Sequence, residues 1–264
     1  MFKESPSQFI TQDKEDFISV IVVAAGKGER MNMGVKKQFI LLEDKPILYY
    51  SLKSFCENDF INEIILVTAK EDIPYCENLV AREGLNKVKQ IVEGGVKRQD
   101  SVFCGLKSVN KNSNVVLIHD GARPFVESLD LKNLVQVAKV HGSATFGVML
   151  KDTIKVKNDD MYIEKTLDRR NLVAIQTPQA FLYNKLWDAH IRAKQEAYVG
   201  TDDTVLMERC NIPTKVVDGS YFNIKITTKE DLAFAEVITK KLLTQSDKSP
   251  ASKRQRRRWV TSKT

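Results

Sequence analysis

Cysteine and histidine are scarce in this chain, and neither is spaced for metal chemistry. The four cysteines, Cys56, Cys76, Cys104 and Cys210, form no C-x-x-C pair, and His119, His141 and His190 complete no zinc-ligand pattern with them. Reduced, mostly buried thiols are the expected state. No apolar run approaches the length of a bilayer span, and the segment Met1 to Asp16 mixes Lys, Glu, Asp and Gln without the apolar centre of a secretory signal. Both absences point to a soluble protein of the cytoplasm with no membrane partner. A Walker A loop is also missing, and Met31 stands where a dinucleotide fingerprint needs a third small residue, which excludes P-loop NTPases and NAD enzymes. No Ser-His-Asp, Cys-His or paired-carboxylate hydrolase signature stands out.

Basic residues exceed acidic ones, but not in the body of the chain. The net charge of +7 is supplied in full by Lys248, Lys253, Arg254, Arg256, Arg257, Arg258 and Lys263. A basic face for nucleic acid is therefore not expected on the folded part. Hydrophobic residues make up 42% of the 264, enough for a sizeable core. The expected organisation is an N-terminal extension (1–17), one catalytic domain (18–245) and a basic, disordered tail (246–264).

What is present is an alternation of strand and helix patterns. Strands are expected at Val20–Ala24, Glu63–Thr68, Lys87–Val92, Val115–His119 and Ala144–Met149. Helices are expected from Pro46-Ile47 to about Cys56, over Glu71–Glu83, around Val102, Leu106 and Val109, and from Leu131 to a stop at Gly142. This rhythm predicts an α/β fold with a doubly wound, mostly parallel, Rossmann-like sheet. Around 151–172 the pattern changes to a polar β-hairpin, which cannot bury itself alone and is expected to rest on another surface. Asn184–Ala197 reads as a helix, Thr214–Val217 and Asn223–Ile226 as late strands, and Thr227 with Glu230 as a capping box before a last helix.

The chemistry-bearing residues cluster after expected strands. Val20-Ile21-Val22-Val23-Ala24 runs into Ala25, Gly26, Gly28, Arg30 and then Lys37, a glycine turn with two cations suited to a polyphosphate. Gly94-Gly95 precedes a helix that opens at Lys97-Arg98-Gln99-Asp100-Ser101. Asp120-Gly121-Ala122-Arg123 puts a carboxylate and a guanidinium at a strand end, where ligands of such sheets bind; His119 reads as a packed strand residue. Lys225 stands in an otherwise apolar run, which is costly unless an anion pairs with it. Many cations and backbone donors without an enzyme nucleophile suit phosphoryl or nucleotidyl transfer, where catalysis is positioning and charge neutralisation.

Together these segments resemble the 2-C-methyl-D-erythritol 4-phosphate cytidylyltransferase family. The matching pieces run from Ala24-Ala25-Gly26-Lys27-Gly28-Glu29-Arg30-Met31 through Lys37-Gln38-Phe39, Gly94-Gly95, Arg98-Gln99-Asp100-Ser101, Asp120-Gly121-Ala122-Arg123-Pro124, Asp152-Thr153, Asp168-Arg169, Thr177-Pro178-Gln179 and Thr201-Asp202 to Asn223-Ile224-Lys225. The resemblance implies transfer of CMP from CTP to the sugar phosphate, with release of pyrophosphate. It implies that Arg30 and Lys37 stabilise the transition state and that Arg169 and Lys225 position the acceptor. Asp120, Arg123, Thr153, Thr177 and Thr201 would contact the acceptor, and Ala24, Ala25, Gly26, Gly28, Gly95 and Ser101 the nucleotide. It implies Mg2+ carried mainly on the CTP phosphates, with no protein metal ligand. It also implies a homodimer in which the arm brings Thr153 and Arg169 to the partner's site. The alternatives are a cytidylyltransferase for another polyol phosphate, such as ribitol 5-phosphate, and a non-catalytic nucleotide- or RNA-binding protein that uses the basic tail.

Overall fold

The computed structural model describes residues 16–26, 36–126 and 129–246. Gly28, Arg30 and the expected tail from 247 onward lie outside the described residues, as do residues 1–15. In chain order the elements are β1 (Ile18–Val23), the short pair β2 (Leu41–Leu42) and β3 (Lys45–Pro46), α1 (Ile47–Cys56), β4 (Glu63–Thr68), α2 (Ile73–Arg82), β5 (Val88–Glu93), α3 (Arg98–Ser108), β6 (Val115–Asp120), α4 (Leu131–His141) and β7 (Ser143–Met149). Then follow β8 (Lys155–Lys157), β9 (Ile163–Thr166), β10 (Val173–Leu182), α5 (Tyr183–Gln195), α6 (Thr204–Arg209), β11 (Lys215–Asp218) and α7 (Lys229–Ser246).

Seven strands form one sheet in the order β11-β7-β10-β6-β1-β4-β5. All pairs are parallel except those of β10, which runs antiparallel between β6 and β7. The central strands are apolar on both faces because helices cover both. Val20 and Val22 point to one layer, with Leu48, Leu52 and Phe55 of α1 and Leu134 of α4. Ile21, between them, points to the other layer, with Val102 and Leu106 of α3 and Leu186 of α5. The chain winds outward from β1 through β4 to β5, then crosses back to lay β6 on the other side of β1. That reversal opens a crevice at the carboxyl ends of β1 and β6, the usual ligand position in such sheets. No helix among the described residues is long and apolar enough to cross a membrane.

One strand is added to those the sequence offered, and two sequence expectations are corrected. The segment 173–182 is a ten-residue strand, β10, which the sequence hid because Gln176, Thr177, Pro178 and Gln179 interrupt its apolar pattern. Its register with β7 shifts between Ile175 and Gln179, the stretch that accommodates a proline without an N–H. Asn223–Ile226 is not a strand; Ile226 instead donates its N–H to Ala122 O and drops its side chain into a small third core with Ile40, Ile47 and Phe125. The capping box lies one residue later than expected. Thr228 Oγ1 accepts from Asp231 N, and Asp231 Oδ2 accepts from Thr228 N at 2.9 Å. The hairpin is present as β8 and β9, short and solvent-facing, with Met161, Tyr162 and Ile163 well exposed.

One buried group carries a pH signature. His119 is fully buried on β6; its Nδ1 pairs with Thr177 Oγ1 at 3.1 Å and its Nε2 with Arg123 O at 3.0 Å. Burial pushes its pKa down from 6.5 to about 4. The unfolded chain takes up this proton at higher pH than the folded one, so the contribution is present above pH 6.5 and lost as pH falls to about 4. The stability difference between the parent and a His119→Gln variant is expected to narrow by up to about 3 kcal/mol across that window. Chemical denaturation at closely spaced pH values measures it; a constant difference would contradict a neutral, buried His119.

Candidate active site

After β1 the backbone turns through Ala24, Ala25 and Gly26 along the crevice. Gln38, nearly fully buried, fixes this turn by donating from Nε2 to Ala24 O at 2.7 Å and to Gly26 O at 3.2 Å. A Cβ at Gly26 would meet no described atom within 4 Å, and its φ is not in the left-handed region. The glycine thus leaves open space beside its backbone and does not relieve a strained turn.

Gly94 is tightly enclosed instead. A Cβ there would lie 2.6 Å from Ala25 Cβ and 2.8 Å from Ser101 Oγ. Ser101 Oγ in turn accepts from Gly95 N at 3.1 Å, tying the Gly-Gly turn to the start of α3. Gly94→Ala is expected to cost about 1–3 kcal/mol of stability, because it pushes Ala25 and Ser101 apart. Thermal unfolding checks it; a midpoint equal to the parent's would mean that the turn yields without strain.

Two cavities meet at the crevice. The first, about 260 Å³, is lined by Ala24, Ala25, Gly26, Lys37, Gly95 and Ser101, together with Arg98, Asp120 and Lys225. The second, about 470 Å³, shares Arg98, Asp120 and Lys225 and adds Arg123, Thr177, Gln179 and Thr201. Residues far apart in sequence thus reach one place, since the sheet aligns their strand ends. Two predicted residues do not join them: Thr153 and Arg169 sit exposed on the arm, outside both cavities. Arg169 Nη1 donates to Lys151 O within the arm.

Asp120, at the end of β6, is the electrostatic centre. Its Oδ2 lies 2.7 Å from Lys225 Nζ and its Oδ1 3.1 Å from Arg98 Nε. Burial works to raise its pKa, but the charges of Arg98 and Lys225 outweigh it and hold the carboxyl well below the ordinary range. This ion pairing answers the cost of Lys225 in an apolar run. Arg123, by contrast, turns to the backbone and donates from Nη1 to Asn223 O at 2.7 Å. Thr177 Oγ1 accepts from Asp120 N at 3.1 Å, which fixes the turn that carries the carboxylate. Asp120 is the one carboxylate among the described residues lining the first cavity, and both its oxygens face cations. A donor set of ammonium, guanidinium and amide groups suits an anion, and it suits a metal ion that arrives on phosphates rather than one held in a protein cage.

Sequence reasoning left several functional groups without a role. Arg98 was visible only as part of a helix start, yet it bridges Asp120 to Asp203, with Nη1 2.7 Å from Asp203 Oδ2. Gln38 carries no charge to advertise its clamp on the glycine turn. Lys36 ties down the entry to Lys37 through Glu71 and Asp72, at 2.6 and 2.7 Å. Cys76 is no nucleophile: burial pushes its thiol up to about 11.

A doubly wound sheet with a cation-lined crevice at its switch point, backed by a glycine turn, fits a protein that handles nucleotides. The family model described as IspD, 2-C-methyl-D-erythritol 4-phosphate cytidylyltransferase, matches residues 18–241. The chain belongs to that family, whose members are nucleotidyltransferases of the non-mevalonate isoprenoid pathway. The enzyme of this name from Clostridium botulinum strain Langeland is 48% identical over 224 residues, covering 85% of this chain and 98% of the relative. The Clostridium acetobutylicum enzyme is 48% identical over 222 residues, with coverage of 84% and 96%. The crystal structure of 4-diphosphocytidyl-2C-methyl-D-erythritol synthase from Anaerococcus prevotii matches with a TM-score of 0.76 at 33% identity, over 86% of this chain and 97% of that one.

Proposed function

We propose that this chain transfers CMP from CTP to 2-C-methyl-D-erythritol 4-phosphate and releases pyrophosphate. The observation that carries the reading is the convergence of Lys37 and Lys225 with the Ala24–Gly26 and Gly95 backbone on one cavity, joined to a second through Arg98 and Asp120. The first cavity takes the nucleotide, held by Ala24, Ala25, Gly26, Gly95 and Ser101; Gly28 is assigned to the same nucleotide. The second takes the acceptor, with Asp120, Arg123, Thr177 and Thr201 along its wall.

An acceptor phosphate oxygen attacks the α-phosphorus of CTP. The new P–O bond forms as the bond to the pyrophosphate oxygen breaks, and pyrophosphate leaves carrying the electron pair. Charge accumulates on the oxygens of the α-phosphate and the leaving group. Lys37, which lines the first cavity from a short 3-10 turn before β2, is assigned to face it, and Arg30 is assigned to the same task. Lys225 turns its ammonium from Asp120 to the acceptor phosphate. Magnesium, held by the triphosphate oxygens, supplies further charge neutralisation when bound, and no protein ligand is assigned to it.

Thr153 and Arg169 are assigned to the acceptor of a partner subunit. Their exposure on a short hairpin with apolar residues facing solvent supports an arm that is exchanged across a homodimer. The catalytic unit is assigned to residues 18–245 and the enzyme to the cytoplasm, in keeping with four cysteines that form no disulfide. Incubation with CTP, magnesium and each polyol phosphate in turn tests the reading. Pyrophosphate release with methylerythritol phosphate supports it; release only with ribitol 5-phosphate would replace the acceptor.

A further inference from the structure

Behind the acceptor cavity, charged and polar groups stand in series. Lys225 meets Asp120 Oδ2, and Asp120 Oδ1 meets Arg98 Nε. Arg98 Nη1 meets Asp203 Oδ2, and Asp203 Oδ1 lies 3.2 Å from His190 Nε2. Asp203 and His190 are only 1% and 2% exposed. The series joins the start of α3, the end of β6, the residue before α6 and the middle of α5. Two guanidinium nitrogens of Arg98, Nε and Nη1, hold the two carboxylates, and the third, Nη2, is buried without a hydrogen-bond partner among the described residues.

Arg98 therefore divides one positive charge between Asp120 and Asp203. Asp120 keeps enough negative charge to attract Lys225, but not the whole of a lone carboxylate's pull. Without Arg98, a buried Asp120 would hold Lys225 as its one remaining ion-pair partner, in surroundings where such pairs are strong. Without Asp203, Arg98 would serve Asp120 alone and Lys225 would be released. We propose that Arg98, backed by Asp203 and His190, is a positioning residue that sets how tightly Asp120 retains Lys225, and hence how readily that ammonium turns to the acceptor phosphate. The inference rests on the role given to Lys225 under Proposed function. Arg98 acts through Asp120 and is not assigned a contact with the reacting atoms.

The test uses the whole chain and three variants. Arg98→Gln and Asp203→Asn break the same bridge and strip partners from buried charges, so both lower the thermal midpoint. They act in opposite directions on Lys225. Arg98→Gln is expected to raise the KM for methylerythritol phosphate by about tenfold, and its dissociation constant by calorimetry likewise. Asp203→Asn leaves the acceptor KM unchanged or lowers it. The double variant removes both buried charges; it recovers the thermal midpoint but keeps the raised acceptor KM, and it carries the test if Arg98→Gln alone does not fold. Equal rises in acceptor KM for both single variants, or a double variant with the parent's KM, would overturn the proposal and leave Arg98 a structural tie. Turnover by the parent chain reports on the assigned reaction separately, and calorimetry with the acceptor phosphate reads the effect on Lys225 whether or not turnover occurs.

Discussion

Replacing Lys225 by methionine is expected to lower kcat/KM by a factor on the order of 10² to 10³, the scale seen when one preorganised charge-stabilising donor is removed. Methionine keeps most of the length and apolar bulk of the lysine and deletes only the charge. The fold should tolerate it for two reasons. Asp120 retains Arg98 on its other oxygen, so no buried carboxylate is left without a cation. The flanking backbone is held independently, by Ile226 N on Ala122 O and by the Ile226 side chain in the third core. A stability loss of no more than about 1–2 kcal/mol is expected from the broken pair. Steady-state kinetics with the acceptor varied, alongside thermal unfolding, separates the two effects. Turnover within threefold of the parent would remove Lys225 from the mechanism.

Lys37→Ala is expected to depress kcat by a similar factor, with thermal unfolding measured alongside to separate any loss of stability from the loss of turnover. Its neighbours are anchored without it. Gln38 is clamped to the glycine turn, Phe39 packs edge-on against Tyr75 with centroids 4.7 Å apart, and Lys36 is bound to Glu71 and Asp72. The backbone that presents Lys37 therefore has anchors on both sides of it, and the substitution removes the ammonium and its stem from the cavity. Lys36→Ala is the matched control. Its partly exposed ion pairs are worth about 1 kcal/mol or less, and the side chain is absent from both cavities. A fall in kcat for Lys36→Ala as large as that for Lys37→Ala would show that the loop, rather than the Lys37 ammonium, carries the effect.

The central strands were legible because burial on both faces leaves an unbroken β-branched run, as in Val20-Ile21-Val22-Val23. Helix ends were legible where chemistry is local: Gly142 takes φ +90 and closes α4 as its position suggested. β10 was not legible, since Thr177 and Gln176 earn their buried places through partners distant in sequence, namely Asp120 and Ser220. The apolar residues around Lys225 imitated a strand because they face a core, but that core lies beside the sheet. The site divides along the same line. Asp120 announced itself by charge at the end of an apolar run, Lys225 by charge within one, and Lys37 by its place after the glycine turn. The connection of Arg98 to Asp203 and His190 spans more than 90 residues and depends on which helix starts lie beside which strand ends. No local pattern encodes that.

The central claim is that cations from separated elements surround one nucleoside triphosphate and drive displacement of its pyrophosphate by a sugar phosphate. The most direct measurement is pyrophosphate release on mixing the protein with CTP, magnesium and 2-C-methyl-D-erythritol 4-phosphate, with the cytidine-diphosphate alcohol identified by mass spectrometry. The account predicts one pyrophosphate per CDP-alcohol formed, no release when the acceptor is omitted, and a loss on the order of 10²-fold or more in the Lys37→Ala and Lys225→Met variants. Release of pyrophosphate without acceptor, or undiminished release by both variants, would contradict it.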